Sequence, residues 1–355
     1  MSNELRILIT GVGAPGIMGT LYSIKKNYDQ RKVYLVGTDI NENAVGKYLC
    51  NSFYVLPVAT DAQNYLDSLK NICIKEKIKV VVPQNTRELL ILSSNKQEFI
   101  DVGIQVLISN VEAIKRANDK FELMKICKSH NIPVSDFEKV SGFEKLLEVA
   151  KKLGWPERKI VVKPPSSNGQ RGVKIIDENK DFKKAFYDEK PSNLFATMDG
   201  LSEILGETFP ELIVTEYLPG EEYTVDLIRK GNFISAIPRK RDLIRSGITF
   251  NGSVENNPDI INYSKKLAEV LNLEYCFGFQ FKLDENNTPK ILESNPRVQG
   301  TMVLSTIAGA NIIYSSVKLL LGEDIPEFKI DWNSKILRFW GGIGLYNNQS
   351  FVIDC

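Results

Sequence analysis

The residues best suited to chemistry stand near the end of the chain, in FGFQFKLDENNTPKILESNPR, Phe277 to Arg297. Two strand-like runs flank the turn DENNTP. Alternation puts Gln280 and Lys282 on one face of the first run, and lets Ile291, Glu293 and Asn295 share a face of the second. If Leu283 pairs with Lys290, Gln280 lies opposite Glu293, and an amide, a carboxylate and a second amide converge. Such hard oxygen donors suit Mg2+, which takes one or two carboxylates and fills the rest of its shell with phosphate oxygens and water. Arg297, two residues on, could hold a phosphoryl or carboxylate oxygen through its planar fork. A solvated sheet face is the plain alternative. It accounts for Lys282 but not for the row Glu293, Asn295 and Arg297 leading into the turn at Gly300.

A second stretch suits phosphate. IVVKPPSSNGQRGVKII is a strand, a small-residue loop and a second strand. Gly169 and Gly172, with Ser166, Ser167 and Asn168, let backbone N–H groups approach an anion, and Lys163 ends the first strand where its ammonium could meet a phosphate oxygen. A mobile hairpin loop with a strand lysine reads equally well. No G-x-x-x-x-G-K-[ST] occurs, so this is not a P-loop. In IVTEYLPGEEYTVDLI the backbone of Glu216, Tyr217 and Leu218 could hydrogen-bond a base, and Glu222 could accept from ribose hydroxyls; a plain acidic hairpin is the alternative. In IPRKRDLIRSGITFNG alternation sets Arg239 and Arg241 on one face, a pair that an anionic substrate could use, although a charge run is commonly just solvated.

One motif points elsewhere. Gly11, Gly13 and Gly16 spell G-x-G-x-x-G between an apolar run and an amphipathic one, and VYLVGTD ends at Asp39, near the place of a ribose-binding acid. Alone, that segment reads as a NAD-dependent oxidoreductase. Pro15 weakens the reading, because it removes an N–H that a pyrophosphate would use.

These residues need a scaffold of more than one domain, and 355 residues suffice for two or three. Hydrophobic residues at 43% and charged ones at 25% argue against disorder. The 45 Lys and Arg balance 44 Asp and Glu, which favours neither nucleic acid nor a membrane surface as a partner. No apolar run approaches the ~18 residues of a membrane span and the N-terminus lacks a signal-peptide core, so a cytoplasmic protein is expected. Cys50, Cys73, Cys127, Cys276 and Cys355 are scattered without a C-x-x-C, so a structural disulfide is not expected. The only histidine, His130, sits at a helix end, leaving zinc sites and His-dependent triads without support. Carboxylates, amides, Lys and Arg must carry the chemistry.

Residues 1–115 alternate strands (LRILIT, VYLVGTD, SFYVLP, IKVVVPQ, IQVLIS) with helices over 17–27, 64–76 and 86–99, the pattern of a doubly wound sheet. A helix pair follows and breaks at Pro133. Beyond about 135, strands crowd together with helices near 142–153, 179–188 and 259–271, an α+β texture.

The order of the pieces resembles the ATP-grasp superfamily, and in particular proteins named after the large subunit of carbamoyl phosphate synthetase. The carriers are NDK, VVKP with its Gly/Ser loop, TEYLPGEEYTVD, PRKR, and FQFKLD…LESNPR. The resemblance runs from about residue 5 to 325. It implies a Rossmann-like domain over 1–115 that binds no dinucleotide, an ATP-grasp domain over 116–325 with a lid subdomain at about 135–215, and a C-terminal segment, 326–355, of no assigned role. It implies ATP as cofactor with Mg2+, for which Mn2+ can substitute. Lys120 and Lys163 match the phosphate lysines, Ser166–Gly172 the lid loop, and Glu216, Tyr217 and Leu218 the adenine hinge. Glu222 matches the ribose position, Gln280, Glu293 and Asn295 the metal ligands, and Arg297 the arginine near the transferred phosphoryl group. Gln280 stands where many relatives carry an acid. The reaction implied is phosphorylation of a small carboxylate to an acylphosphate that an amine then attacks, in a protein expected to be a homodimer. Phosphorylation of bicarbonate or carbamate, NAD chemistry, and a non-catalytic nucleotide binder are the alternatives.

Overall fold

The computed structural model describes residues 4–166, 171–245, 247–339, 341–346 and 349–353. Ser167 and Gly169 of the expected lid loop lie outside the described residues. The chain forms two compact units. The first joins Met1–Ala117, Glu222–Gln280 and Ser294–Cys355; the second joins Asn118–Glu221 and Phe281–Glu293. The chain therefore passes back and forth between units, where the sequence reading runs domain after domain.

Five short strands, β1 (Leu5–Ile9), β2 (Val33–Asp39), β3 (Ser52–Val55), β4 (Val80–Val82) and β5 (Gln105–Val106), make a parallel sheet in the order β3-β2-β1-β4-β5. A parallel sheet buries both faces, which is why residues 7–9 of β1 and all of β4 read as unbroken apolar runs. Ile7, Ile9, Val80 and Val82 belong to one apolar cluster, whereas Leu8 and Val81 belong to another on the opposite face. The connecting helices are α1 (Ile17–Lys25), α2 (Ala62–Lys75), α3 (Thr86–Ser94), α4 (Lys96–Ile100) and α5 (Val111–Asn118). The single helix expected over 86–99 is two, broken at Asn95, whose side-chain amide donates to the Ile91 carbonyl. Asx side chains compete in this way with the helical ladder.

The second unit begins with α6 (Lys120–Ser129) and carries a sheet of β6 (Phe137–Gly142), β7 (Ile160–Lys163), β8 (Lys174–Ile176), β9 (Phe195–Ala196) and β10 (Thr208–Glu216), ordered β6-β10-β7-β8-β9. Helices α7 (Phe143–Lys152), α8 (Phe182–Asp188) and α9 (Met198–Leu205) accompany it, and Leu146, Val149, Val162, Leu201 and Val214 lie in its core. A third sheet has the order β15-β14-β11-β12-β13-β16. Its strands are β11 (Glu222–Lys230), β12 (Phe233–Arg245), β13 (Ile248–Val254), β14 (Tyr275–Leu283), β15 (Pro289–Asn295) and β16 (Lys335–Leu337). Helices α10 (Pro258–Leu271), α11 (Val303–Ile307) and α12 (Ile312–Leu320) belong to the first unit, and a hairpin of β17 (Gly342–Tyr346) and β18 (Gln349–Ile353) closes the described chain.

Candidate active site

In the second unit two lysines are buried together. Asp119 caps α6, accepting from the N–H groups of Phe121 at 2.8 Å and Glu122 at 3.0 Å, and so fixes Lys120 as the first helical residue. The Lys120 N–H donates to the Pro165 carbonyl at 2.9 Å, tying the helix start to the chain just after β7. Lys163 ends β7, opposite Ile213 of β10. Their side chains are buried, with 6% and 7% of Lys120 and Lys163 exposed. Lys120 Nζ stands 3.7 Å from Glu293 Oε2. Burial, and then the Lys120 ammonium, push Lys163 down to about 8 against the pull of Glu293. Two buried ammonium groups side by side are costly unless negative charge accompanies them.

The strand end that follows β10 is anchored by its side chains. Glu216 accepts from Lys290 Nζ at 2.6 Å and from the Asp136 N–H at 3.2 Å, so its carboxylate braces the stretch. Lys159 and Lys282 ammonium groups lie over the Tyr217 ring, at 5.6 and 5.2 Å from its centroid. Leu218 is buried. The Gly220 N–H donates to Leu283 O and the Leu283 N–H to Glu221 O, which zips the hinge to the end of β14.

In the first unit the structure answers the glycine motif. The Gly13 N–H donates to Asp39 Oδ2 at 2.7 Å, so the acid expected at a ribose holds the turn itself. A Cβ on Gly16 would lie 2.4 Å from the Gly300 Cα, so backbone packs on backbone there. These glycines serve close packing.

The two arginines expected at a substrate are largely committed to the protein. Arg239, 1% exposed, binds Asp226 through Nε at 2.6 Å and Nη2 at 2.7 Å. Ser305 Oγ donates to the same carboxylate at 2.5 Å, and Gln299 Oε1 lies 3.5 Å from Arg239 Nη2. Arg241 donates to Glu222, to Thr249 Oγ1 at 3.0 Å and to the Gly247 carbonyl at 2.7 Å. Alternation does place both on one face of β12, but each satisfies a buried acid or neighbouring strand. The Glu222 carboxylate, expected at a ribose, is a partner of Arg241.

Arg297 donates from Nε to Thr86 Oγ1 at 3.0 Å, from Nη1 to Val298 O at 2.9 Å, and from Nη2 to Asn295 Oδ1 at 3.3 Å. Thr86 is the first residue of α3, whose capping box joins Asn85 and the buried Glu88. Glu88 also accepts from Tyr65 at 2.6 Å, so a buried acid holds the loop that holds Arg297. Glu293 and Asn295 are two apart on β15, and Gln280 is half-buried on β14, on the face opposite Phe279 and Phe281. Among the described residues no group of three His, Cys, Asp or Glu could hold a metal. One carboxylate with amide oxygens fits Mg2+ that shares its shell with phosphates.

Asp226, Gln299, Ser305, Thr86 and Arg338 escaped the sequence reading. Gln299 follows Arg297 by two and was within reach of alternation; Arg338 lies in the segment 326–355, where composition carried no signal.

Three family models match successive stretches. Residues 7–107 match the PylC-like N-terminal domain, 117–253 the phosphoribosylglycinamide synthetase ATP-grasp (A) domain, and 208–337 an ATP-grasp family in the biosynthetic pathway with Ter operon. The chain belongs to the ATP-grasp superfamily, whose ligases use ATP with Mg2+ to phosphorylate a carboxylate or bicarbonate. Among curated relatives it is similar to the carbamoyl phosphate synthase large chain of Clostridium acetobutylicum, 24% identical over 274 residues; that match covers 74% of this chain and 24% of the relative, so the chain spans about a quarter of that protein's length. Among solved structures, Campylobacter jejuni biotin carboxylase superposes with a TM-score of 0.66 at 18% identity, covering 92% of this chain and 73% of that one. Staphylococcus aureus N5-carboxyaminoimidazole synthetase, complexed with ADP, gives 0.64 at 19%, covering 94% and 80%. These likenesses show the fold: a Rossmann-like domain followed by ATP-grasp. Among the described residues no helix is long and apolar enough to cross a membrane.

Proposed function

We propose that this chain is an ATP-dependent carboxylate–amine ligase. The observation that carries the reading is the burial of two lysines, Lys120 and Lys163, together in one unit with Lys120 3.7 Å from Glu293, a place suited to phosphates. Lys120 and Lys163 bind and orient the phosphates. The backbone of Glu216, Tyr217 and Leu218 receives the adenine, and Glu222 stands at the ribose. Glu293, Asn295 and Gln280 are the oxygen donors that would hold Mg2+, which would neutralise charge developing on the phosphates. Arg297, steadied by Thr86, stabilises the group in transfer.

The chemistry follows from charge. A carboxylate repels a nucleophile; phosphorylated on oxygen by ATP it becomes an acylphosphate, with ADP released. An amine nitrogen then attacks the acyl carbon, the C–O bond to phosphate breaks, and the amine loses a proton as phosphate leaves. The protein's share is positioning and charge neutralisation, and no protein nucleophile is required.

The similarity to the carbamoyl phosphate synthase large chain supports a second reading, in which bicarbonate or carbamate is the oxyanion phosphorylated. A cytoplasmic homodimer remains the proposed setting, to be read by sedimentation. The test is thermal unfolding of wild type and Lys163→Ala with Mg-ATP or NAD+. At 100 times its dissociation constant a ligand stabilises by about 2.7 kcal/mol. Mg-ATP is expected to shift wild type and not the variant; a shift with NAD+ alone would overturn the reading. ADP release with bicarbonate, or with pairs of acids and amines, then separates the two reactions.

A further inference from the structure

Exposed large apolar side chains crowd the last stretch of the described chain. Leu337 ends β16 and Phe339 follows it, each 75% exposed. Leu345 and Tyr346 on β17, and Phe351, Val352 and Ile353 on β18, are exposed as well. The register of the hairpin sorts its residues into two faces. Ile343 pairs with Val352 and Leu345 with Ser350 on one; Gly342 pairs with Ile353, Gly344 with Phe351 and Tyr346 with Gln349 on the other. The Phe351 ring lies where a Cβ on Gly344 would stand, so it covers the backbone that the glycine leaves bare. Both faces are apolar, and neither is given over to water. A sheet of that kind is an interior sheet. Among the described residues, however, β17 and β18 form a sheet by themselves, and two strands alone are marginally stable in water. The hairpin calls for cover on both sides.

Its chemistry narrows what covers it. Residues 339–353 contain no Asp, Glu, Lys, Arg or His. Arg338, just before them, is tied to its own chain, donating from Nη2 to the Gly300 carbonyl at 2.7 Å. A partner chosen by charge, or an anionic lipid surface, is met by Lys and Arg beside the apolar residues. Depletion of charge marks instead the permanent interface between copies, which resembles a core cut in half. The seven side chains offer on the order of 100 Å² each, roughly 700 Å² in all, close to the ~800 Å² that each partner buries in a stable complex. A two-fold axis also meets the need for cover on two sides. Each hairpin can lay one face on the hairpin of the other copy, and the opposite face on the apolar step that Leu337 and Phe339 make beside that copy's β16.

We infer that the β17–β18 hairpin is an exchanged arm through which two copies of this chain associate about a two-fold axis. The inference stands on the hairpin and does not need the ligase reading; it gives the homodimer proposed above a surface. Phe351, Tyr346 and Ile353 anchor one face of the arm, and Leu345 and Val352 the other. The aromatic pair carries most of the affinity, because it has the largest area to remove from water and few rotatable bonds to immobilise.

The experiment is sedimentation velocity of wild type and of the double variant Tyr346→Asp, Phe351→Glu between roughly 0.1 and 100 μM. Wild type is expected to sediment with twice the mass of the chain. The variant is expected to dissociate, its constant raised about a hundredfold or more, while keeping the wild-type circular dichroism spectrum, which shows that it folds. Should the variant not fold, hydrogen exchange of the wild-type dimer decides: the amides of β17 and β18 should exchange slowly there. The inference is overturned if wild type is a monomer throughout, if the folded variant dimerises as tightly as wild type, or if β17 and β18 exchange freely in the dimer. A monomeric wild type that floats with phosphatidylcholine vesicles would overturn it in favour of a lipid surface.

Discussion

Lys163 carries a pH signature that the lysines on the surface cannot imitate. In the folded chain it releases its proton at about 8, against an ordinary 10.5. The unfolded chain therefore holds more protons between those values, and stability rises with pH across that window, the penalty being fully present below about 8. Urea unfolding of wild type and Lys163→Met between those pH values should show a rise that the variant lacks; parallel curves would refute the assignment. Phosphates would restore the ammonium, so Mg-ATP binding near pH 8.5 should take up a proton, read as a dependence of binding heat on the buffer's ionisation heat. Asp226→Ala should destabilise by about 3–5 kcal/mol in the same unfolding assay, because it leaves Arg239 buried and uncompensated. At this scale the sequence was half legible. Alternation singled out Glu293, Asn295 and Arg297 as candidates, whose types are odd for a plain strand. It set Arg239 and Arg241 on one face but did not pair them with Asp226 and Glu222, the latter expected at a ribose, because only strand register brings each acid to its arginine.

Elements show where backbone geometry, and not side-chain type, decides. A Cβ on Gly16 would meet the Gly300 Cα at 2.4 Å, whereas one on Gly300 would find the Gly16 Cα at 3.8 Å. Gly16→Ala should therefore destabilise by roughly 1–3 kcal/mol while Gly300→Ala stays within about 0.5, compared by thermal unfolding. Equal effects would mean that the glycines are chosen for something other than close approach. Asp119→Ala should cost about 1 kcal/mol through the lost cap. It should also weaken nucleotide binding, because it loosens the helix turn that carries Lys120. The parallel strands and the long helices α2 and α10 were legible, since apolar runs and 3.6-residue periodicity mark them. The break at Asn95 and the short α9 were not, because each depends on one side chain: the Asn95 amide, or the Thr197 hydroxyl that caps α9 by accepting from the Gly200 N–H at 3.1 Å.

The whole molecule divides its proposed work between its units. Lys120, Lys163, Glu293 and the Glu216–Glu221 hinge belong to the second, and Arg297 to the first. Hydrogen exchange should reflect that division. Mg-ATP should protect the backbone of β7 and of 216–221; protection spread evenly over the chain would contradict it. Such interleaving was invisible in the sequence, because local patterns do not say which later strand completes an earlier core.

The same interleaving bears on synthesis at the ribosome. Ile7, Ile9, Val80 and Val82 share their apolar cluster with Met302, Leu304, Ile312, Ile313 and Val317. The opposite face of that sheet is closed by residues that emerge early, up to Ile114. One side of the nascent sheet must therefore wait for roughly 200 further residues, on the order of ten to forty seconds at ordinary elongation rates. For that interval it offers chaperones an oily surface, and premature termination before residue 300 would leave it bare for good.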